Sequence, residues 1–83
     1  MTKEQQIIIN RINTLCKERN MSLYVLAYKS SVPLTTLTHI MKGTTKNPGI
    51  FTVARLCDGF EMSMSEFFDT EDFEELMRQM SEE

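Results

Sequence analysis

The sequence predicts an all-α fold, and three observations carry that prediction. Apolar residues recur at three- and four-residue intervals in successive segments, residues that start and stop helices stand between those segments, and nowhere do three consecutive segments alternate in the manner of strands. The chain has 83 residues, 41% of them hydrophobic and 25% charged. That composition suits one small globular domain and is too short for two independent cores.

Taken in order, Ile8, Ile12, Leu15 and Cys16 share one stripe, which predicts a first helix from residue 4 to Arg19, closed by Asn20 in a left-handed conformation. Ser22 is suited to cap a second helix over 23–30 that buries Leu23 or Val25 together with Leu26 and Ala27. Pro33 lacks an N–H where none is needed and so starts a third helix, 34–42, which buries Leu37 and Ile40 and stops at Gly43. TTKNPG is a loop. Pro48 and Gly49 open a fourth helix from Ile50 to Phe60 with Ile50, Val53, Leu56, Cys57 and Phe60 inward. Ser63-Met64-Ser65-Glu66 has the capping-box pattern, so a short fifth helix begins at Met64 and buries Phe67, with Phe68 as a second candidate for burial. Thr70 caps a sixth, in which Phe73, Leu76, Met77 and Met80 stand at i, i+3, i+4 and i+7.

Several function classes are excluded on composition. The longest apolar run is Ile7-Ile8-Ile9, and MTKEQQ lacks the basic start and apolar stretch of a secretory signal, so a cytoplasmic protein without membrane contact is expected. Cys16 and Cys57 stand outside any CxxC or Cys/His cluster and are expected to be buried and reduced, leaving no metal site and no cofactor. His39 has no nucleophile and oriented base around it, so no catalytic residue is assigned and an enzyme is not expected. No small-molecule ligand is evident.

The net charge of −3 conceals an uneven distribution. Residues 1–57 hold eight bases against two acids, whereas 58–83 hold one base, Arg78, against ten acids. The first part can face a polyanion; the acidic end, including Glu71, Asp72, Glu74, Glu75, Glu82 and Glu83, must face away from it.

Two helices joined by a three- or four-residue turn, the second short and polar outside, make a helix-turn-helix. Thr35, Thr36, Thr38 and His39 on the outer face of 34–42 fit that use, because short hydroxyls and an imidazole can meet base edges in a major groove without being too long. Threonine is a mediocre helix former, costing about a few tenths of a kcal/mol at each exposed position. The cluster has no structural return to offset that cost.

From Ser22 to Phe68 the text resembles the Cro/repressor-type, or xenobiotic response element type, helix-turn-helix family. Family members read LSxxxLAxxxGVSxxTLSxIxxG, a loop ending in NP, then LGVSLDEL; here stand MSLYVLAYKSSVPLTTLTHIMKG, TTKNP and FEMSMSEF. With Ile8, Arg11, Ile12 and Leu15 in an IxxRIxxL pattern, the likeness extends over residues 8–68. It implies a five-helix lambda-repressor-like DNA-binding domain over residues 1–69, to which the sixth helix read above adds an amphipathic, acidic C-terminal helix or tail over 70–83. By position it also implies base contacts from Leu34, Thr35, Thr36, Thr38 and His39, with Pro33 at the helix start. Phosphate contacts would come from Lys42, Lys46 and Asn47, from Arg11 and Lys29, and from backbone N–H groups at the starts of the second and fourth helices.

The departures from the pattern are informative. Ser31 replaces the turn glycine and must either adopt a positive φ or reshape the turn. Leu23 stands where a phosphate-binding glutamine is common, and Leu34 where a base-reading glutamine or arginine is common. Cys16 and Met41 replace both members of a frequent arginine–glutamate pair; exchanging both for apolar groups avoids a stranded charge and predicts that the two touch.

The expected function is sequence-specific double-stranded DNA binding by a bacterial or phage transcriptional regulator. It would act as a homodimeric repressor, with Phe73, Leu76, Met77 and Met80 as the dimer interface in place of an exposed apolar stripe; the other use of that stripe is to fold the last helix back on its own domain. The alternative is a protein-interaction module, antitoxin-like or anti-repressor, acting through the acidic C-terminal helix.

Overall fold

Helix boundaries follow side-chain chemistry at both ends. The computed structural model describes residues 1–82, and Glu83, expected on the acidic face, lies outside the described residues. Among the described residues there are six helices and no strand: α1 (Lys3–Glu18), α2 (Leu23–Ser30), α3 (Leu34–Lys42), α4 (Ile50–Gly59), α5 (Met64–Phe68) and α6 (Glu71–Ser81). Thr2, Ser22, Ser63 and Thr70 cap α1, α2, α5 and α6 with their hydroxyls. Asn20 (φ 51°), Gly43 (φ 79°) and Glu61 (φ 58°) turn the chain out of α1, α3 and α4 in the left-handed region. After α1, for example, the N–H groups of Asn20 and Met21 return to the carbonyls of Lys17 and Cys16.

The core is Ile12, Leu15 and Cys16 of α1, Leu26 and Ala27 of α2, Val32, Leu37 and Ile40, then Val53, Leu56, Cys57, Phe60 and Phe67. Leu37 is fully buried beneath α3, a burial worth about 1.5–3 kcal/mol. Met41 packs against this core, to which Cys16 also belongs. Both cysteines are free and buried, and burial raises each thiol above its ordinary pKa.

Helix α2 packs on α3 and α4. Its crossing with α4 is close, because a Cβ on Gly59 would stand 2.8 Å from the Ser30 Cβ and 3.0 Å from its backbone nitrogen. Only glycine fits there.

Three expectations of burial need correction. On α1 the inward face runs through Gln5, Ile9, Ile12 and Cys16, while Ile8 is half-buried at its edge, because Gln5 and Ile9 continue the stripe of Ile12 and Cys16 at four- and three-residue steps. Ile50 is 66% exposed and Phe51 79% exposed. Ile50 stands about 60° round the helix from Val53, at the edge of the inward face, and in the first turn, so the core that covers Val53 and Leu56 does not reach it. Phe68 is exposed, its ring lying against Phe67 and Phe73 at the surface, whereas of the alternatives Leu23 and Val25 it is Leu23 that packs against the core.

Helix α6 lies against α1, and Phe73, 9% exposed, joins the same core. Its ring meets Phe68 edge to face at 4.9 Å between centroids. Phe73 was expected in a dimer interface; its own domain covers it, since the rings of Phe67 and Phe68 supply the apolar surface it needs.

Candidate nucleic-acid interface

The turn between α2 and α3 is built by two adjacent serines. Ser30 is buried; its Oγ donates to the Ala27 carbonyl at 3.4 Å and accepts from the Val32 N–H at 3.3 Å. Ser31 then takes φ 58°, ψ 26°, the conformation a glycine would adopt more cheaply. Val32 is buried, Pro33 has φ −55°, and α3 starts at Leu34 with no side-chain cap.

Leu37 and Ile40 hold one side of α3 in the core, so Thr35, His39 and Lys42, at i, i+4 and i+7, define the opposite side. Leu34, Thr35, Thr36 and His39 are exposed and Thr38 is half-buried. Among the described residues none of the Thr35, Thr36, Thr38 or His39 side chains hydrogen-bonds within the chain. Their donors and acceptors are free for a ligand.

The phosphate candidates divide. Lys42, Lys46, Asn47 and Lys29 are exposed, and the three lysines form no salt bridge among the described residues. Lys42, Lys46 and Asn47 cluster at the end of α3 and in the segment after it. Arg11 is committed elsewhere: its Nε donates to the Phe67 carbonyl at 2.7 Å and an Nη to the Glu66 carbonyl at 2.9 Å, with the guanidinium 5.8 Å from the Phe67 ring centroid. It closes the C-terminal end of α5, whose free carbonyls attract a cation. Ser22 occupies one first-turn N–H of α2, by a 3.1 Å bond from Val25. The start of α4 behind Gly49 has no side-chain cap, so its N–H groups can donate to an anion.

A family model of the Cro/C1-type helix-turn-helix DNA-binding domain matches residues 11–72. The chain belongs to this family. The match spans α2, the turn and α3 together, so the Cro/C1-type domain here is a DNA-binding module whose exposed third helix follows the Ser31 turn. No curated protein and no solved structure matches the chain. Among the described residues no helix is long and apolar enough to cross a membrane.

Two features of the site carry weaker sequence signals. Tyr24 and Tyr28, four apart on the outer face of α2 beside Lys29, are both exposed and can donate to phosphate oxygens. The Thr2–Gln5 capping box could have been found from its T-x-x-Q spacing. The bonds from Gln5 to the segment after α3 could not, because 38 residues separate the donor from Gly43.

Proposed function

We propose that this Cro/C1-type protein is a sequence-specific double-stranded DNA-binding transcriptional regulator that reads the major groove with α3 and represses by occlusion as a homodimer. The observation that carries it is the unpartnered outer face of α3, set opposite Leu37 and Ile40 and bordered by Lys42, Lys46, Asn47 and the uncapped start of α4. Leu34 offers its methyls to a thymine methyl or the sugar wall; Thr35, Thr36, Thr38 and His39 offer hydrogen bonds to base edges. Lys42, Lys46, Asn47 and Lys29 set the register on phosphates.

A second copy would cover the apolar residues that remain exposed. Met77 and Met80 of α6 are 60% and 46% exposed, and Leu76 is half-buried. A groove of about 390 Å³ beside α6 and one of about 650 Å³ beside the start of α4 share Glu4, Ile8 and Phe68, so Met77 and Ile50 belong to one band. Pairing along this band would present two recognition helices, and an operator would need half-sites about 34 Å apart.

The deciding experiment selects bound sequences from a random DNA pool and titrates binding against salt, with sedimentation of the free protein. Selection of a palindromic site, affinity falling steeply with salt, and a dimer dissociated by Met77→Glu or Ile50→Glu support the proposal. Absence of salt-sensitive binding rejects it. The exposed Met77 and Met80 also favour a second reading, a protein partner on α6; a monomer that binds no DNA and loses that partner on Met77→Glu would select it.

A further inference from the structure

Among the described residues Gln5 and Ser30 are the buried polar ones, and Gln5 reaches across to the far end of α3. Its Nε2 donates to the Gly43 carbonyl at 2.9 Å and to the Thr45 carbonyl at 3.2 Å, while its Oε1 accepts the Thr2 N–H at 2.7 Å. Its own backbone N–H goes to Thr2 Oγ1 at 3.1 Å. The partners dictate the amide's orientation, because two carbonyls can only accept and a backbone N–H can only donate. One side chain thus closes the capping box of α1 and grips the chain on both sides of Thr44.

The other hydrogen bonds of this segment are local. The N–H groups of Thr44 and Thr45 and the Thr44 hydroxyl all go to the His39 carbonyl, and the Gly43 N–H goes to Ile40. Among the described residues, only Gln5 bonds residues 43–49 to an element other than the flanking helices. Lys46 and Asn47 follow immediately. Gln5 also precedes the residues matched by the family model, so this tether is an addition to the matched domain.

We propose that Gln5 is a positioning residue for DNA binding: by holding the Gly43 and Thr45 carbonyls against α1, it pre-orders the segment that presents Lys46 and Asn47 to phosphate. The proposal rests on the DNA-binding function above. A segment ordered in advance need not lose its freedom on binding, so the tether acts on affinity without touching DNA. Glutamine suits the task because one side chain supplies two donors and an acceptor. Glutamate would keep the cap and lose the donors; methionine would keep the shape and lose both.

The test compares wild type, Gln5→Met and Gln5→Glu by amide exchange of Thr44–Asn47 in the free protein and by binding to a selected DNA across a salt series. In Gln5→Met, exchange at Thr44 and Thr45 should accelerate while the slowest core amides keep their relative protection. Binding should weaken by about tenfold for all sequences alike, with the salt slope reduced by about one. In a double-mutant cycle, Gln5→Met should cost less in a Lys46→Ala background than in wild type. Gln5→Glu retains the α1 cap and should show the same accelerated exchange, which guards against a loss due only to fraying of α1. Unchanged exchange in both variants, or a Gln5→Met loss that is fully additive with Lys46→Ala, overturns the proposal. Should wild type itself bind no DNA, the function fails and the exchange result still decides whether the tether exists.

Discussion

Helices α3 and α6 are both short, amphipathic and polar on the outside, yet they use their polar residues in opposite ways. On α6 the side chains of one face bond to one another: Arg78 reaches Glu71 at 2.6 Å and Glu75 at 2.7 Å, Gln79 donates to Glu75, and Lys3 donates to Gln79, while Asp72 and Glu74 face solvent. On α3 the threonine and histidine side chains have no partner in the chain among the described residues. A surface whose polar groups are paired internally is complete as a solvated face. One built from poor helix formers with nothing to bond is poised for a ligand. The difference separates two helices that hydrophobic periodicity alone treats alike.

Substitutions can break the comparison, beginning beneath the helices. Phe73→Ala should destabilise the domain by about 3 kcal/mol or more, since it empties a buried aromatic site. Urea denaturation measures it, and a loss under about 1 kcal/mol would mean that α6 is not docked through Phe73. On the outer face the effect should move from stability to recognition. Thr35→Ala or His39→Ala should leave the urea midpoint nearly unchanged while relaxing discrimination at the contacted base pair by about 1 kcal/mol. A variant that weakens all sequences equally would make that residue a phosphate contact instead.

Smaller effects sharpen the picture. Ser31→Gly should stabilise by about 0.5–1 kcal/mol, because Ser31 sits at φ 58° where a Cβ is unfavourable. Thermal unfolding would register it, and a fall in melting temperature would show that the Ser31 side chain contributes more than its strain removes. Smallest is the α6 network. Hydrogen bonding and then charge attraction from Arg78 hold the Glu75 carboxyl below its ordinary 4.5. A carboxylate with a depressed folded-state pKa adds stability at neutral pH, and that stability fades as the pH falls below about 4.5 toward the folded value. Arg78→Ala should therefore lessen the acid-induced loss slightly, and added salt should erase the difference between the proteins. Equal pH profiles at low salt would mean the ion pairs contribute nothing.

Much of this architecture was legible in local chemistry. The caps at Ser22, Ser63 and Thr70, the stop at Gly43, and the pairs Leu26–Ala27 and Leu37–Ile40 are short-range signals, and each lies where its residue type requires. The exposed face of α3 follows from the same periodicity. Arg11 was less legible: its charge fits a phosphate as well as a helix terminus, and only packing brings the α5 carbonyls within its reach. Phe73 likewise has a spacing that fits a dimer stripe and an intramolecular core equally.

By itself the sequence determined the helices, their order, the helix-turn-helix and the polar character of α3, because caps, turn residues and apolar periods act over a few neighbouring positions. Tertiary structure alone decided that Gln5 grips the segment after α3, that Gly59 admits the Ser30 backbone, that Ile50 stays exposed and that Phe73 is covered. Those outcomes depend on axial position and on distances between segments remote in the chain, which no local pattern encodes.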